Sequence, residues 1–244
     1  MQTSLRQGCL LISSGLLTFN LNTMIKAVIF DFDGIIIESE PLWVEAEIKA
    51  FSTVGVTLTP ELCRQTTGLN TPATIEYWFS VYPWTGKSKF QLYKEIMEAM
   101  QVLFLERVDL KEGFLEVLQF FVDKNLPLAV ASASPLKLIT TALKKFHLLD
   151  YFKIISSGEN EELGKPHPAI YLTATRKLGI EPIHCLAFED SFNGAISAKA
   201  ARIKLVVVPD KHDFETTRFD FSDVKIASLK DFKSRHFDYL NAIN

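Results

Sequence analysis

Four short segments hold the residues able to do chemistry: Asp31-Phe32-Asp33-Gly34, Ser132-Ala133-Ser134-Pro135, Gly164-Lys165-Pro166 and Glu189-Asp190-Ser191. Together they offer acids, hydroxyls and one ammonium. Carboxylates alone repel a phosphate group. A hard divalent cation removes that repulsion, and Mg²⁺ suits one to three carboxylates with water and a phosphate oxygen. Asp31 and Asp190 are the best candidate ligands, with Glu189 beside them. Lys165 adds a compact positive charge that can hold phosphate oxygens and screen the acids. Ser132 stands just before Ser134-Pro135, which reads as an N-cap followed by proline at the first helical position. Backbone N–H groups and the helix dipole there favour an anion. A carboxylate beside the cation and aimed at phosphorus can attack it, so Asp31 reads as a nucleophile giving an aspartyl-phosphate. Asp33, two residues on, is placed to protonate the leaving oxygen and then activate water. Gly34 supports that turn by tolerating unusual backbone angles.

These segments need elements to bring them together. Ala27-Val28-Ile29-Phe30 is apolar, rich in β-formers and too short for a helix, so it reads as a buried strand ending at Asp31. Similar runs recur at 128–131, 153–155, 185–188 and 205–208. Helix-period segments lie between them: Leu136, Ile139, Leu143 and Phe146, then Tyr171, Ala174 and Leu178. The alternation predicts an α/β fold, a Rossmann-like parallel sheet with helices on both faces. In such a sheet ligands bind outside the carboxyl ends of the strands. Three of the four segments directly follow a predicted strand, and the Lys165 loop leads into a helix. The interval 39–109 breaks the rhythm. Val44, Ile48 and Phe51 share one helical face and Ile96, Met100 and Leu103 another, which predicts an inserted helical domain. The core is then 24–38 with 110–244, and 1–23 is an N-terminal extension expected to be disordered or a misassigned start.

Each segment alone has a plainer reading. Asp-x-Asp-Gly is commonly a solvated turn or a fragment of a calcium loop. Lys165 alone reads as a surface lysine, Glu189-Asp190-Ser191 as a helix cap, and Ser132 as a strand-end hydroxyl. Their joint occurrence after successive strands favours one site. Trp43, Tyr77, Trp78, Phe79 and Trp84 read as packing residues. Lys144-Lys145 and the acids of 159–162 read as solvated charges.

Composition narrows the class. The 244 residues are 48% apolar and 23% charged, with formal net charge −3, a balance that lacks the basic excess of a general nucleic-acid binder. No run approaches the roughly 18 apolar residues needed to span a bilayer. Cys9, Cys63 and Cys185 are odd in number and widely spaced, which argues against disulfides or zinc and for a reducing compartment. The expected partner is a small phosphorylated metabolite in the cytoplasm, with neither nucleic acid nor membrane. The expected state is a monomer or weak dimer.

The segments Val28–Gly34 through Glu38-Ser39-Glu40-Pro41, Ala131–Ser134, Lys165–Pro168 and Glu189–Gly194 resemble the haloacid dehalogenase-like hydrolase superfamily. More narrowly they are similar to its helical-cap phosphatase and β-phosphoglucomutase branch, nearest to bacterial phosphatases of 2-deoxyglucose 6-phosphate and hexitol phosphates. The resemblance implies Asp31 as nucleophile and Asp33 as general acid/base. It implies Gly34, Ser132, Ala133, Ser134 and Lys165 around the phosphoryl group. Mg²⁺ would be held by Asp31, the Asp33 carbonyl and Asp190, with Glu189 direct or through water, and the 39–109 cap would choose the substrate. Asp33 argues against dehalogenation, since true dehalogenases lack the second aspartate. Mutases of this branch carry a cap histidine where this chain has Trp43. Relatives place an arginine where it has Leu69, Asn70 and Thr71, so the far half of the substrate need not be a second phosphate. Glu38 replaces a more usual aspartate. The alternatives to a sugar- or polyol-phosphate phosphatase are a hexose-phosphate mutase and a non-catalytic sugar-phosphate-binding module.

Overall fold

The computed structural model describes residues 24–243; the extension expected at 1–23 lies outside them. In chain order the elements are β1 (Ala27–Phe30), β2 (Ile37–Glu38), α1 (Glu40–Ser52), α2 (Pro60–Cys63), α3 (Thr71–Val81), α4 (Lys89–Arg107), β3 (Asp109–Leu110) and α5 (Phe114–Asp123). Then follow β4 (Leu128–Ser132), α6 (Leu136–Lys145), β5 (Phe152–Ser157), α7 (Ala169–Leu178), β6 (Cys185–Glu189), α8 (Phe192–Ala200), β7 (Lys204–Val207), α9 (Lys211–Phe214), β8 (Val224–Lys225) and α10 (Ser234–Ala242).

Among the described residues, six strands form one sheet in the order β5-β4-β1-β6-β7-β8, every pair parallel. The chain leaves β1 toward β4 on one side and returns through β6 on the other. The carboxyl end of β1 is therefore the crevice where strand order reverses, the usual ligand position in such sheets. The five apolar runs of the sequence all form strands, as their short, apolar, loop-bounded character predicts.

Alternate residues serve opposite faces. Val28 and Phe30 of β1 and Leu186 and Phe188 of β6 join Phe114 and Phe121 of α5 and Phe232 in one buried cluster. Phe30 and Phe188 stack with ring centres 5.2 Å apart, and Phe114 meets Phe30 edge-on at 5.5 Å. Burying a side chain of this size contributes about 1.5–3 kcal/mol, so the sheet centre is firmly backed. Ala27 and Ile29, with Cys185 and Ala187, face the other way against Tyr171 and Ala174 of α7 and Ala195 and Ala198 of α8.

Helices α1 to α4 lie between β2 and β3. Their starts follow from the sequence. Asn70 caps α3 by accepting from Ala73 N at 2.9 Å, and Ser88 with Gln91 forms a capping box on α4. Val44 and Ile48 are half-buried while Phe51, Ile96 and Met100 are fully buried; Phe104 rather than Leu103 completes the buried face of α4. The chain enters and leaves this insert through β2 and β3, which pair antiparallel (Ile37 with Leu110, Glu38 with Asp109). Two residues per strand are too few to show a period, so sequence pattern does not reveal this ribbon. Lys145 is exposed, as expected of a solvated charge, and its ammonium also donates to the Phe104 and Val108 carbonyls and so ties the end of α4 to the core.

Candidate active site

Asp31 extends β1 by one residue and Glu189 ends β6; both continue the face that carries Ile29 and Ala187. The Asp31 N–H donates to the Phe188 carbonyl at 2.9 Å, so the two acids emerge side by side. Lys165, read alone as a surface residue, is in fact buried. Its Nζ donates to Asp31 Oδ1 at 2.8 Å and to Glu189 Oε1 at 2.5 Å. Tyr171 of α7 donates to the same Glu189 oxygen at 2.6 Å, and Ser191 Oγ donates to the other at 3.2 Å. Ser191 also caps α8 through Gly194 N, so the helix-cap reading of Glu189-Asp190-Ser191 holds together with the site reading. Asp31, Glu189 and Asp190 bring carboxylate oxygens within 4.8 Å of one another.

Three acids face one lysine, and the excess negative charge shows in the titration of Asp31 and Asp190. Burial first, and then the Glu189 charge, push Asp31 up to about 8 despite Lys165. Asp190 is raised well above the usual carboxylate range by burial and by Asp31. Burial alone would lower Lys165, but Asp31 and Glu189 outweigh it and hold the ammonium protonated. A divalent cation is the natural complement of such a set. Glu189 has its oxygens engaged by Lys165, Tyr171 and Ser191, which leaves Asp31 and Asp190 as the acids freer to hold one.

This imbalance sets a pH dependence. Between the ordinary aspartate value of 3.8 and about 8, the unfolded chain releases a proton that folded Asp31 retains, so stability falls as pH rises across that window. The melting temperature without metal is expected to drop from about pH 5 to about pH 8, and millimolar Mg²⁺ to restore more at the upper end, where the acids must ionise. Thermal melts at both pH values with and without Mg²⁺ check this; a Mg²⁺ effect independent of pH would contradict it.

Gly34, expected beside the phosphate, packs against Asp190. It adopts φ +76°, and a Cβ there would lie 1.8 Å from Asp190 Oδ2. It borders the cleft that holds Asp190, not the cavity above Asp31. Gly34 therefore permits the close approach of Asp190. Gly34→Ala is expected to displace Asp190 and raise the Mg²⁺ concentration needed for activity by about 10- to 100-fold. An unchanged Mg²⁺ activation curve would remove Gly34 from this role.

Asp33 is held from two sides. Ser134 Oγ donates to Oδ2 at 2.6 Å and Ser132 Oγ at 3.3 Å. Ser39 Oγ and Trp43 Nε1 donate to Oδ1 at 2.5 and 2.9 Å. Two expectations need correction here. Ser134 is not the N-cap of α6; Pro135 is, its carbonyl accepting from Leu138 and Ile139. The Ser134 hydroxyl goes to Asp33, its N–H to Ser132 Oγ and its carbonyl to Ser157, while Glu159 accepts from Leu136 N. It is the 132–134 loop, ahead of α6, that borders the cavity. Trp43, expected as packing, does pack edge-on against Phe104, yet its indole N–H reaches Asp33 and its ring lines the cavity. The other aromatic expectations fare unevenly: Trp78 and Trp84 are buried, whereas Tyr77 is exposed.

Above Asp31, the insert closes a cavity whose floor is Asp31, Asp33, Ser132, Ala133, Ser134 and Lys165. The insert docks through a loop: Asn193 donates to the Thr67 carbonyl at 3.2 Å, and a Cβ on Gly68 (φ +82°) would lie 2.5 Å from Ser191 Oγ. Sequence reasoning missed Ser39, Tyr171 and Glu47. The first two look like an ordinary helix cap and a core aromatic. Glu47 did leave a signal, a carboxylate between Val44 and Phe51 on a buried helical stripe.

Residues 28–208 match the family model of the haloacid dehalogenase-like hydrolases. The chain belongs to that family. Hexitol phosphatase B of Escherichia coli K12 is 37% identical over 213 residues, covering 86% of this chain and 96% of that protein. A phosphorylated carbohydrates phosphatase of Thermotoga maritima is 30% identical over 181 residues, covering 74% and 83%. Among solved structures, CbbY from Rhodobacter sphaeroides in complex with phosphate superposes with TM-score 0.80 at 24% identity, over 88% of this chain and 100% of that one. It shares the haloacid dehalogenase-like architecture described above. Family and relatives together make this chain an enzyme of the phosphatase kind.

Proposed function

We propose that this hydrolase is a Mg²⁺-dependent phosphatase of small phosphorylated carbohydrates, sugar or polyol phosphates, acting through an aspartyl-phosphate on Asp31. One observation carries the reading: Asp31 lies buried at the floor of a cavity, bound by Lys165 and flanked by two further acids whose charge one lysine does not balance. The names of the two relatives support the substrate class. We take 39–109 as the cap and the rest of the described chain as the core.

Asp31 attacks phosphorus as the ester P–O bond breaks, and Asp33 gives its proton to the leaving alkoxide. Asp33 then takes a proton from water as the water oxygen bonds to phosphorus, the Asp31–phosphorus bond breaks and inorganic phosphate leaves. Lys165 and the 132–134 loop bind the phosphoryl oxygens and hold them in line with Asp31. Asp31, the Asp33 carbonyl and Asp190 would hold Mg²⁺, with Glu189 behind; the cation supplies charge neutralisation of the phosphoryl oxygens. The cap excludes bulk water and so strengthens these interactions. Trp43 offers an indole N–H that cannot carry a proton through the reaction, so nothing at that position favours a mutase.

Among the described residues no helix is long and apolar enough to cross a membrane. The free buried thiols of Cys63 and Cys185 suit a reducing compartment, and the reading is of a cytoplasmic enzyme, monomeric or weakly dimeric. Phosphate release from a panel of hexitol, hexose and nucleoside monophosphates, with Mg²⁺ or with a chelator, tests the proposal. Mg²⁺-dependent release, greatest with carbohydrate esters, is expected. Undiminished release with chelator would overturn the metal dependence. Conversion of β-glucose 1-phosphate to its 6-isomer without free phosphate would favour a mutase.

A further inference from the structure

The cap wall of the cavity differs in kind from its floor. Helix α1 turns Trp43 and Glu47 toward the cavity, one helical turn apart, so Glu47 stands about 6 Å along the axis from the indole that touches Asp33. Glu47 is 8% exposed. The Cys63 thiol stands beside its carboxylate. A carboxylate accepts about four hydrogen bonds, and a thiol is a weak donor, so Glu47 keeps acceptor capacity directed at the cavity. Cys63, Thr66, Asn70 and Thr74 beside it on the wall are neutral, and Glu40 at the start of α1 is a second acid on the lining. Among the described lining residues Lys165 is the single cation, and it is already engaged by Asp31 and Glu189.

A buried carboxyl with one weak partner is costly in a helical core, and an apolar residue at the same point of the stripe would fit without that cost. Burial pushes Glu47 up to about 7, the expected signature of that cost. Such a group facing a cavity marks a recognition residue more than a packing one. The chemistry it recognises follows from the wall. A second phosphate or a carboxylate would meet a negative group and no counter-charge. A neutral chain of hydroxyls would find an acceptor in Glu47 and hydroxyl and amide groups beside it.

We propose that Glu47 accepts a hydrogen bond from a hydroxyl in the uncharged, hydroxylated half of the substrate and thereby selects neutral monophosphates over bisphosphates and sugar-acid phosphates. This rests on the phosphatase reading and names its specificity residue. Glu47 is a binding residue, remote from the reacting atoms.

The test compares kcat/KM for a hexitol monophosphate, a hexose bisphosphate and acetyl phosphate, which is too short to reach the cap wall. Glu47→Met removes the acceptor; Glu47→Gln removes the charge and keeps the shape. In Glu47→Met the hexitol-to-acetyl-phosphate ratio is expected to fall about 10- to 100-fold, mainly through KM, as for loss of a charged hydrogen bond. In Glu47→Gln, assayed at about pH 8 where the parent carboxyl, raised to about 7, is mostly ionised, the bisphosphate-to-monophosphate ratio is expected to rise about tenfold as that negative charge disappears. Both ratios unchanged within about twofold, in variants that melt at or above the parent temperature, would overturn the proposal and leave Glu47 as packing. If the parent released phosphate from nothing, acetyl phosphate included, the phosphatase reading would fail. Calorimetric titration with the hexitol monophosphate would then decide on Glu47 alone: binding weakened in Glu47→Met supports it, and equal binding or none in the parent overturns it.

Discussion

Asp31→Asn is expected to abolish phosphate release, by about four orders of magnitude or more, because it removes the nucleophile while keeping its shape. The variant should fold, since an amide in place of a buried carboxyl raised to about 8 relieves charge crowding with Glu189 and Asp190. Its melting temperature without metal, measured at about pH 8, is accordingly expected to equal or exceed that of the parent. A hydroxylamine-sensitive phosphoprotein should be trapped from the parent during turnover and be absent from the variant. Retained turnover in Asp31→Asn would assign the nucleophile elsewhere and remove the basis for Asp33 as its proton partner.

Lys165→Met carries the second large effect, on stability as well as rate. Lys165 is 4% exposed and bonds both Asp31 and Glu189. Deleting one partner of a buried ionic cluster leaves the others uncompensated, at a cost of about 3–5 kcal/mol. For a chain of this size that corresponds to a drop of about 6–20 °C in melting temperature. The loss is expected to be greatest near pH 8 and smaller near about pH 5, where Asp31 and Asp190 take up protons and need no counter-charge. Turnover should fall at least about 100-fold, since the ammonium also faces the transferring phosphoryl group. A Lys165→Met protein that melts with the parent at both pH values would contradict the structural part of this account. Full turnover would contradict the chemical part.

What could be read from the sequence divides along physical lines. Strands were legible because short apolar runs bounded by turn residues have few alternatives, and β1 and β6 place their acids by simple extension of the strand. The convergence of Asp31, Lys165, Glu189 and Asp190 followed from the rule that parallel sheets present their carboxyl ends together. The N-cap of α6 was misjudged because Ser134 looks like a cap until a stronger acceptor, Asp33, comes within reach from 101 residues away. The same competition diverts Ser39, which precedes α1 with its hydroxyl on Asp33 and not on the helix. A carboxylate on a buried stripe marks Glu47 as unusual and the family resemblance sets Trp43 at a cap position, but that both face the cavity depends on how the insert docks on the core. That docking is made by the 67–68 loop against Ser191 and Asn193, contacts between segments more than 120 residues apart that no local pattern encodes.

The alternation of β1 has a consequence beyond packing. Ala27 and Ile29 face α7 and α8, Val28 and Phe30 face α5, and Asp31 falls on the first of these faces beside Glu189. Catalysis here obeys a parity rule. Adding or removing a single residue within this strand would preserve its composition and its capacity to pair, yet exchange its two faces and aim the carboxylate into the phenylalanine cluster. Descent with insertions is therefore closed to the four residues of β1, while an exposed turn of the insert such as that at Thr85-Gly86, where no such odd-or-even constraint applies, is free to lengthen.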